Sequence, residues 1–224
     1  MKTIHTEDGK TVEIEMIENL YEKNDSIAAD NVRLMDEHGI HAVDILGSIG
    51  SGKTSIVQHL VLHLSGKKKV AAIAGDLTTT IDADRIREKG GEVLQINTDG
   101  GCHLDANMVG NSLKMMDLNG LDLILIENVG NLICPGGFLV GAHQRMVVVS
   151  TTEGPYMIVK HPYIFRDASV VAINKIDLAG AMEVDPEQLK ADAQKVKPGI
   201  KVVFTNGRTG EGIPELIDAL GIGA

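Results

Sequence analysis

Eight consecutive residues can hold a polyphosphate: Gly47-Ser48-Ile49-Gly50-Ser51-Gly52-Lys53-Thr54. They fit G-x-x-x-x-G-K-[ST], the P-loop pattern. Its glycines let the backbone wrap an anion with no Cβ in the way, so that successive N–H groups and a helix N-terminus face the charge. Lys53 is placed to reach the β- and γ-phosphates, and the Thr54 hydroxyl is offered to Mg²⁺. Ser55 continues the loop into the helix. The bland alternative is a glycine-rich turn that binds nothing. The flanks argue against it: an apolar run, His41-Ala42-Val43-Asp44-Ile45-Leu46, precedes the loop, and the helical pattern Ser55-Ile56-Val57-Gln58-His59-Leu60 follows.

A second group reads a base. Asn174-Lys175-Ile176-Asp177 closes the apolar run Ser169-Val170-Val171-Ala172-Ile173. The Asp177 carboxylate can accept from N1–H and the N2 amino group of guanine, whereas adenine would set a lone pair against it. A buried polar group left unpaired discriminates by roughly 10⁴-fold or more. Lys175 can lay its stem along the purine face, and Asn174 is suited to tie this loop to the P-loop. The alternative is an Asp177 that merely caps a helix. Asn206-Gly207-Arg208, after the last strand, could add a backbone N–H, for instance that of Gly207, to guanine O6. Together these elements indicate GTP or GDP.

Two carboxylates close other strands. Asp76 ends a β-run on the edge where ligands bind in open α/β sheets, which makes it a candidate for Mg²⁺ or its waters. Thr78-Thr79-Thr80 and Asp82 could form a switch ordered by the γ-phosphate. Glu127, followed by Asn128-Val129-Gly130, matches a switch that senses the same group. Glu127 either holds Mg²⁺ through water or positions the attacking water; both roles stay open. With Lys53, these two carboxylates are the catalytic candidates. No glutamine follows Gly130 directly, so slow turnover is expected. Asp44, inside an apolar strand, reads as a satisfied structural group, with a functional role as the alternative.

The only two cysteines also fall beyond strand ends, in Cys102-His103 and at Cys134. Thiolate and imidazole suit Zn²⁺, Ni²⁺ and Cu⁺. Inert buried thiols are the alternative. Three ligands leave a tetrahedral ion one short, and water or a second copy across a two-fold could supply the fourth. Cys134 follows Gly130 by four residues, so a moving switch would drag a ligand. His59 and His63 read as surface residues, and His143 and His161 as outside candidates.

These groups need elements to place them. Apolar β-runs at 41–47, 70–76, 92–97, 122–130, 145–151, 169–175 and 201–206 alternate with helical spacing at 52–64, 82–89, 104–117, 156–167, 186–196 and 212–220. Near-continuous Val/Ile/Leu runs alternating with helices predict an α/β fold: a mostly parallel seven-stranded sheet with helices on both faces. Residues 1–10 are polar and expected to fray. The three-to-four spacing from Thr11 to His38 predicts a helix packed on the domain, with Asn24-Asp25-Ser26 as a candidate break. Two parts follow: an N-terminal helical extension, 1–40, and a P-loop GTPase domain, 41–224.

The chain has 224 residues and a net charge of -10, which argues against nucleic acid or an anionic membrane surface as partner. No run of about 18 apolar residues and no N-terminal apolar segment is present, so a cytoplasmic protein is expected. Two cysteines do not make a disulfide framework.

Several stretches resemble the HypB family of hydrogenase maturation GTPases: residues 47–54, Gly75-Asp76, Cys102-His103-Leu104-Asp105-Ala106, Glu127-Asn128-Val129-Gly130-Asn131-Leu132-Ile133-Cys134-Pro135, Ser150-Thr151-Thr152-Glu153-Gly154 and Asn174-Lys175-Ile176-Asp177. The resemblance covers roughly residues 15–220. It implies a SIMIBI-type P-loop GTPase and a nickel or zinc ion held by Cys102, His103 and Cys134 at a nucleotide-dependent homodimer interface. It also implies a HypA-like nickel chaperone as partner and a hydrogenase large-subunit precursor as recipient. Two features depart from the family. Residues 1–40 carry no cysteine and only His5 and His38, unlike members with a metal-rich N-terminus. Asn206-Gly207-Arg208 stands where Ser-x-Lys is usual. A related urease-type or mutase-type GTPase chaperone is the alternative; a passive metal-binding module is disfavoured by the intact Lys53, Thr54 and Asp177.

Overall fold

A computed structural model describes residues 10–76, 81–88, 92–98 and 100–223. The chain runs α1 (Lys10–Glu37), β1 (His41–Gly47), α2 (Lys53–Leu64), β2 (Val70–Asp76), α3 (Ile81–Arg87), β3 (Glu92–Asn97), α4 (Ala106–Met115), β4 (Leu123–Glu127), β5 (Gln144–Ser150), α5 (Met157–Lys160), α6 (Pro162–Arg166), β6 (Val170–Asn174), α7 (Pro186–Val196), β7 (Lys201–Phe204) and α8 (Ile213–Leu220). The strands form one sheet in the order β3-β2-β4-β1-β5-β6-β7, and every recorded pairing is parallel. The seven expected strands are all present.

The alternation of side chains along β1 sets the two layers. Val43 and Ile45 join a core with Ile56, Val57 and Leu60 of α2 and Leu216 and Leu220 of α8. On the other face, Ala42 packs with Met35 of α1 and Val109 and Leu113 of α4. Leu46 packs with Ile164 and Phe165 of α6 and Leu189 of α7. A parallel sheet covered on both faces explains why its strands read as unbroken apolar runs.

The chain goes from β1 outward to β2 and β3, returns to β4, then crosses to β5 on the other side of β1. That reversal opens a crevice at the C-terminal ends of the central strands. Gly47, Asp76, Glu127, Ser150 and Asn174 all end strands on this edge.

Two helix expectations are corrected. Asn24 does not break α1, which runs unbroken from Lys10 to Glu37. Asn24 is buried: its amide donates to Leu139 O at 2.8 Å, and its carbonyl accepts from Ala106 N at 3.0 Å. It is a tether to the loops, not a stop signal. The expected helix 156–167 is two short helices, because Pro162 has no N–H to continue the ladder through His161. The expectation of a frayed start and the Thr78-Thr79-Thr80 and Asp82 switch residues fall outside the described residues and side chains. Among the described residues no helix is long and apolar enough to cross a membrane.

Candidate nucleotide and metal site

The P-loop turns where only glycine is comfortable. Gly50 and Gly52 have φ of 75° and 99°, in the left-handed region. A Cβ on Gly47 would lie 2.6 Å from Val148 O, and one on Gly52 would strike the Asn174 amide. Gly52 caps α2, so the first free N–H groups of that helix face the loop. Lys53 is buried, and its ammonium donates to Gly47 O at 3.0 Å and Ser48 O at 3.1 Å, curling over the cradle.

Thr54 Oγ1 donates to Glu127 Oε1 at 2.7 Å, both side chains buried. They line a cavity of about 510 Å³ together with Lys53, Ser55, Gly75, Asp76 and Gly130. Thr54, Asp76 and Glu127 thus gather hard oxygen donors on one wall, the donor set Mg²⁺ prefers. Gly130 approaches the P-loop so closely that a Cβ there would lie 2.6 Å from Ile49 Cγ1. The segment after β4 and the P-loop are therefore in direct contact.

A second cavity, about 680 Å³, shares Gly52, Ser55, Arg85 and Lys175 with the first. Asp177, Asn206, Gly207 and Arg208 line it too. Asp177 is exposed on the short 3-10 turn Ile176–Leu178, which follows Lys175 at φ 60°. Asn174 Nδ2 donates to Ser51 O at 2.8 Å, while its Oδ1 accepts from Gly207 N at 2.8 Å and from Thr205 Oγ1 at 3.2 Å. One amide thereby pins the end of β6, the P-loop and the last loop together. The Gly207 N–H, expected to face guanine O6, is committed to Asn174 here. Arg208 N likewise donates to Asn206 Oδ1 at 3.0 Å. Asn206 and Gly207 therefore brace the loop.

Two residues were missed from sequence. Arg85, on α3, stands at the wall common to both cavities and donates through Nη2 to Ser55 Oγ and Gln58 Oε1, each at 3.1 Å. No local motif marks it. Glu153 sits in the 3-10 turn Thr151–Glu153, receives the Ser48 hydroxyl and accepts from Ser150 N at 2.5 Å. Burial pushes its carboxyl above the ordinary carboxylate value, against the pull of the Ser150 amide, Lys53 and Lys175. Its signal was legible, since Ser150-Thr151-Thr152-Glu153 is a capping-box pattern. The same turn holds the loop after β6: Thr151 Oγ1 donates to Lys175 O at 2.7 Å.

The two cysteines come together from loops after β3 and β4. The neighbouring Cys134, with burial, pushes the Cys102 thiol above its ordinary value, and Asn131 Nδ2 donates to Cys102 O at 3.3 Å between the two loops. Cys102 Sγ lies 3.5 Å from His103 Nδ1. The His103 ring is stacked on Phe138 with centroids 4.1 Å apart. Among the described residues, no three His, Cys, Asp or Glu side chains form a ready-made metal cluster. Cys102 and Cys134 are neighbours, and His103 is held by its aromatic neighbour. His143, an outside candidate, instead accepts from Ala42 N at 2.9 Å and contacts Asp36 at 3.0 Å.

A family described as CobW/HypB/UreG, nucleotide-binding domain, matches residues 41–204. The probable hydrogenase maturation factor HypB of Methanocaldococcus jannaschii is 42% identical over 205 residues, covering 92% of this chain and 93% of that protein. The chain belongs to the HypB family. The crystal structure of HypB from Archaeoglobus fulgidus superimposes with a TM-score of 0.83 at 42% identity, covering 90% of this chain and 99% of that one. HypB from Helicobacter pylori in complex with nickel gives a TM-score of 0.83 at 33% identity, covering 88% and 93%. HypB membership accounts for the all-parallel P-loop architecture, and the resemblance seen in the residues is a family relationship.

Proposed function

We propose that the chain is a GTP-hydrolysing metallochaperone that binds Ni²⁺ or Zn²⁺ and couples GTP hydrolysis to nickel insertion into [NiFe] hydrogenase. One observation carries the reading. The Cys102 loop is tied to the segment leading to Cys134 by Asn131 Nδ2, which donates to Cys102 O at 3.3 Å, and Cys134 lies four residues beyond Gly130, which itself abuts the P-loop at Ile49. A loop that feels the terminal phosphate therefore also carries a sulfur donor. The HypB relative in complex with nickel supports the choice of cargo.

Hydrolysis breaks the bond between the γ-phosphorus and the β–γ bridging oxygen and gives the phosphoryl group to water, yielding GDP and phosphate. Lys53 and the α2 N-terminus hold the β- and γ-oxygens. Thr54, Asp76 and Glu127 would hold Mg²⁺, which neutralises charge developing on the phosphates. Glu127, already hydrogen-bonded to Thr54, either shares that ion or orients the attacking water. Asp177 reads N1–H and N2 of guanine, with Lys175 along the purine face.

Cys102, His103 and Cys134 are the cargo ligands, completed by a second copy across a two-fold. Ile49 and Ile133, 78% and 63% exposed beside the P-loop and the sulfur pair, offer apolar surface for that contact. Partners of this reading are a HypA-like nickel chaperone and a hydrogenase large-subunit precursor in the cytoplasm. A urease-type client is the second reading, favoured by a Helicobacter pylori relative named hydrogenase/urease maturation factor HypB, 33% identical over 200 residues.

The test is equilibrium binding of Ni²⁺ and Zn²⁺ to GDP-bound and GTP-analogue-bound protein, with light scattering on the same samples. Cys102→Ala and Cys134→Ala are expected to abolish near-stoichiometric binding while leaving nucleotide affinity in place. Unchanged stoichiometry in the double variant discards the site.

A further inference from the structure

Asp44 is 2% exposed in the middle of β1, between Val43 and Ile45. Its two oxygens serve different elements. Oδ1 accepts from Asn128 Nδ2 at 3.2 Å, and Oδ2 accepts from Arg145 Nε at 3.0 Å. Each partner passes the connection on. Asn128, the residue after Glu127, accepts through Oδ1 from the backbone N–H of Leu104 at 2.9 Å and of Val129 at 3.0 Å. Leu104 follows His103 directly. Arg145, 6% exposed, donates through Nη2 to Phe138 O at 2.9 Å. Phe138 closes the turn Cys134–Gly137, and its ring carries the His103 imidazole.

One buried carboxylate therefore has two arms that end at the same place. The first reaches the Cys102-His103 loop through Asn128. The second reaches the Cys134 turn through Arg145. Packing alone does not call for this arrangement, since well-packed apolar side chains commonly match or exceed a buried ion pair in stability. Hydrogen-bonded buried networks do, however, specify one geometry sharply. Arg145 suits the task because its planar fork serves two acceptors at fixed angles, which an ammonium cannot do.

We infer that Asp44 and Arg145 are positioning residues that connect the nucleotide-sensing segment after Glu127 to both loops bearing the cysteines. Displacement of Asn128 with the switch pulls on the Leu104 amide and, through Asp44 and Arg145, on the peptide of Phe138. The two sulfur-bearing loops then move as one unit. This inference rests on the proposed reading of Cys102, His103 and Cys134 as a nucleotide-coupled metal site, and deepens it by naming the coupling.

The experiment compares the full-length protein with Arg145→Lys and Asp44→Asn. Arg145→Lys keeps a cation beside Asp44 but loses the second branch to Phe138. Nucleotide affinity is read with a fluorescent GDP, and Ni²⁺ affinity is read in the GDP and GTP-analogue states. In the unaltered protein the ratio of the two Ni²⁺ affinities is expected within the usual allosteric range of about 5- to 150-fold. In both variants the ratio is expected to fall toward unity with GDP affinity unchanged. A folded Arg145→Lys that keeps the original ratio overturns the inference and leaves the metallochaperone reading standing. A ratio of unity in the unaltered protein overturns that reading, and the inference with it. Should the variants fail to fold, the unaltered protein still decides. The Arg145 Nε–H resonance and the exchange rate of the Leu104 amide must differ between the GDP and GTP-analogue states, and identical values overturn the inference.

Discussion

Thr54 and Glu127, 73 positions apart in sequence, meet through a hydrogen bond of 2.7 Å between hydroxyl and carboxylate. The contact joins the first turn of α2 to the end of β4, so the phosphate loop and the segment leading to Cys134 share one buried bond. Replacing Glu127 with Gln keeps an acceptor for the hydroxyl but removes the charge. GTP turnover is expected to fall by about 10²-fold or more, the range for loss of a positioned acid–base or charge-stabilising group. GDP affinity should change little. Steady-state phosphate release against fluorescent-GDP titration checks this, and unchanged turnover removes Glu127 from the chemistry.

The proposed guanine preference rests on Asp177. It lines the larger cavity on an exposed turn, with the Asn174 amide holding that cavity to the P-loop. Asp177→Asn turns one acceptor into a donor facing guanine N1–H or N2. GTP is expected to lose its advantage over ATP, an advantage of the order of 10⁴-fold where a site is built to hydrogen-bond its substrate. Competition of each nucleotide against fluorescent GDP measures the ratio. If ATP already competes as well as GTP in the unaltered protein, the base assignment is wrong.

Arg85 lines both the P-loop cavity and the cavity that holds Asp177, held on Ser55 and Gln58. A nucleotide running from Asp177 to Lys53, as proposed, would pass this guanidinium with its ribose and α-phosphate. Arg85→Ala is expected to weaken GDP binding by about 1.5–3 kcal/mol, the value of a hydrogen bond to a charged group. Arg85→Lys should recover part of that. Identical GDP affinities in all three proteins would show that Arg85 only ties α3 to α2.

His41 predicts an acid-side loss of stability. Its ring stacks on that of His143 with centroids 4.9 Å apart, and its Nε2 is buried with no hydrogen-bond partner. Burial first, then the His143 and Lys68 charges, lower its pKa below the ordinary 6.5. A depressed folded value means the unfolded chain binds the proton more readily. The stability from neutral His41 is therefore fully present above pH about 6.5 and is lost as pH falls through the folded value. Urea midpoints from about pH 7.5 to 5 should drop more for the unaltered protein than for His41→Gln. Parallel curves would rule His41 out.

Local pattern and tertiary structure determined different things. The strands, the P-loop and the order of the base-reading motif were written in the chain because each rests on neighbours a few positions apart. A covered parallel strand must be apolar throughout, and a phosphate loop must have glycine where φ is positive. Glu153 belongs in this group as well, since its capping-box spacing is local. Periodicity could not say that Asn24 tethers α1 to residues 106 and 139, that Asp44 finds Arg145 101 positions away, or that the Gly207 N–H is taken by Asn174. Nor could it place Arg85 at the mouth of both cavities. Each of these is a polar group whose meaning depends on what lies across the fold, and a polar side chain in a sequence names its chemistry but not its partner. The residue types able to bind phosphate, guanine and a soft metal were fixed by the chain alone. That the two cysteine loops are neighbours, and that a buried carboxylate ties them through Asn128 and Arg145 to the segment after Glu127, was decided only when the sheet brought distant strand ends to one edge.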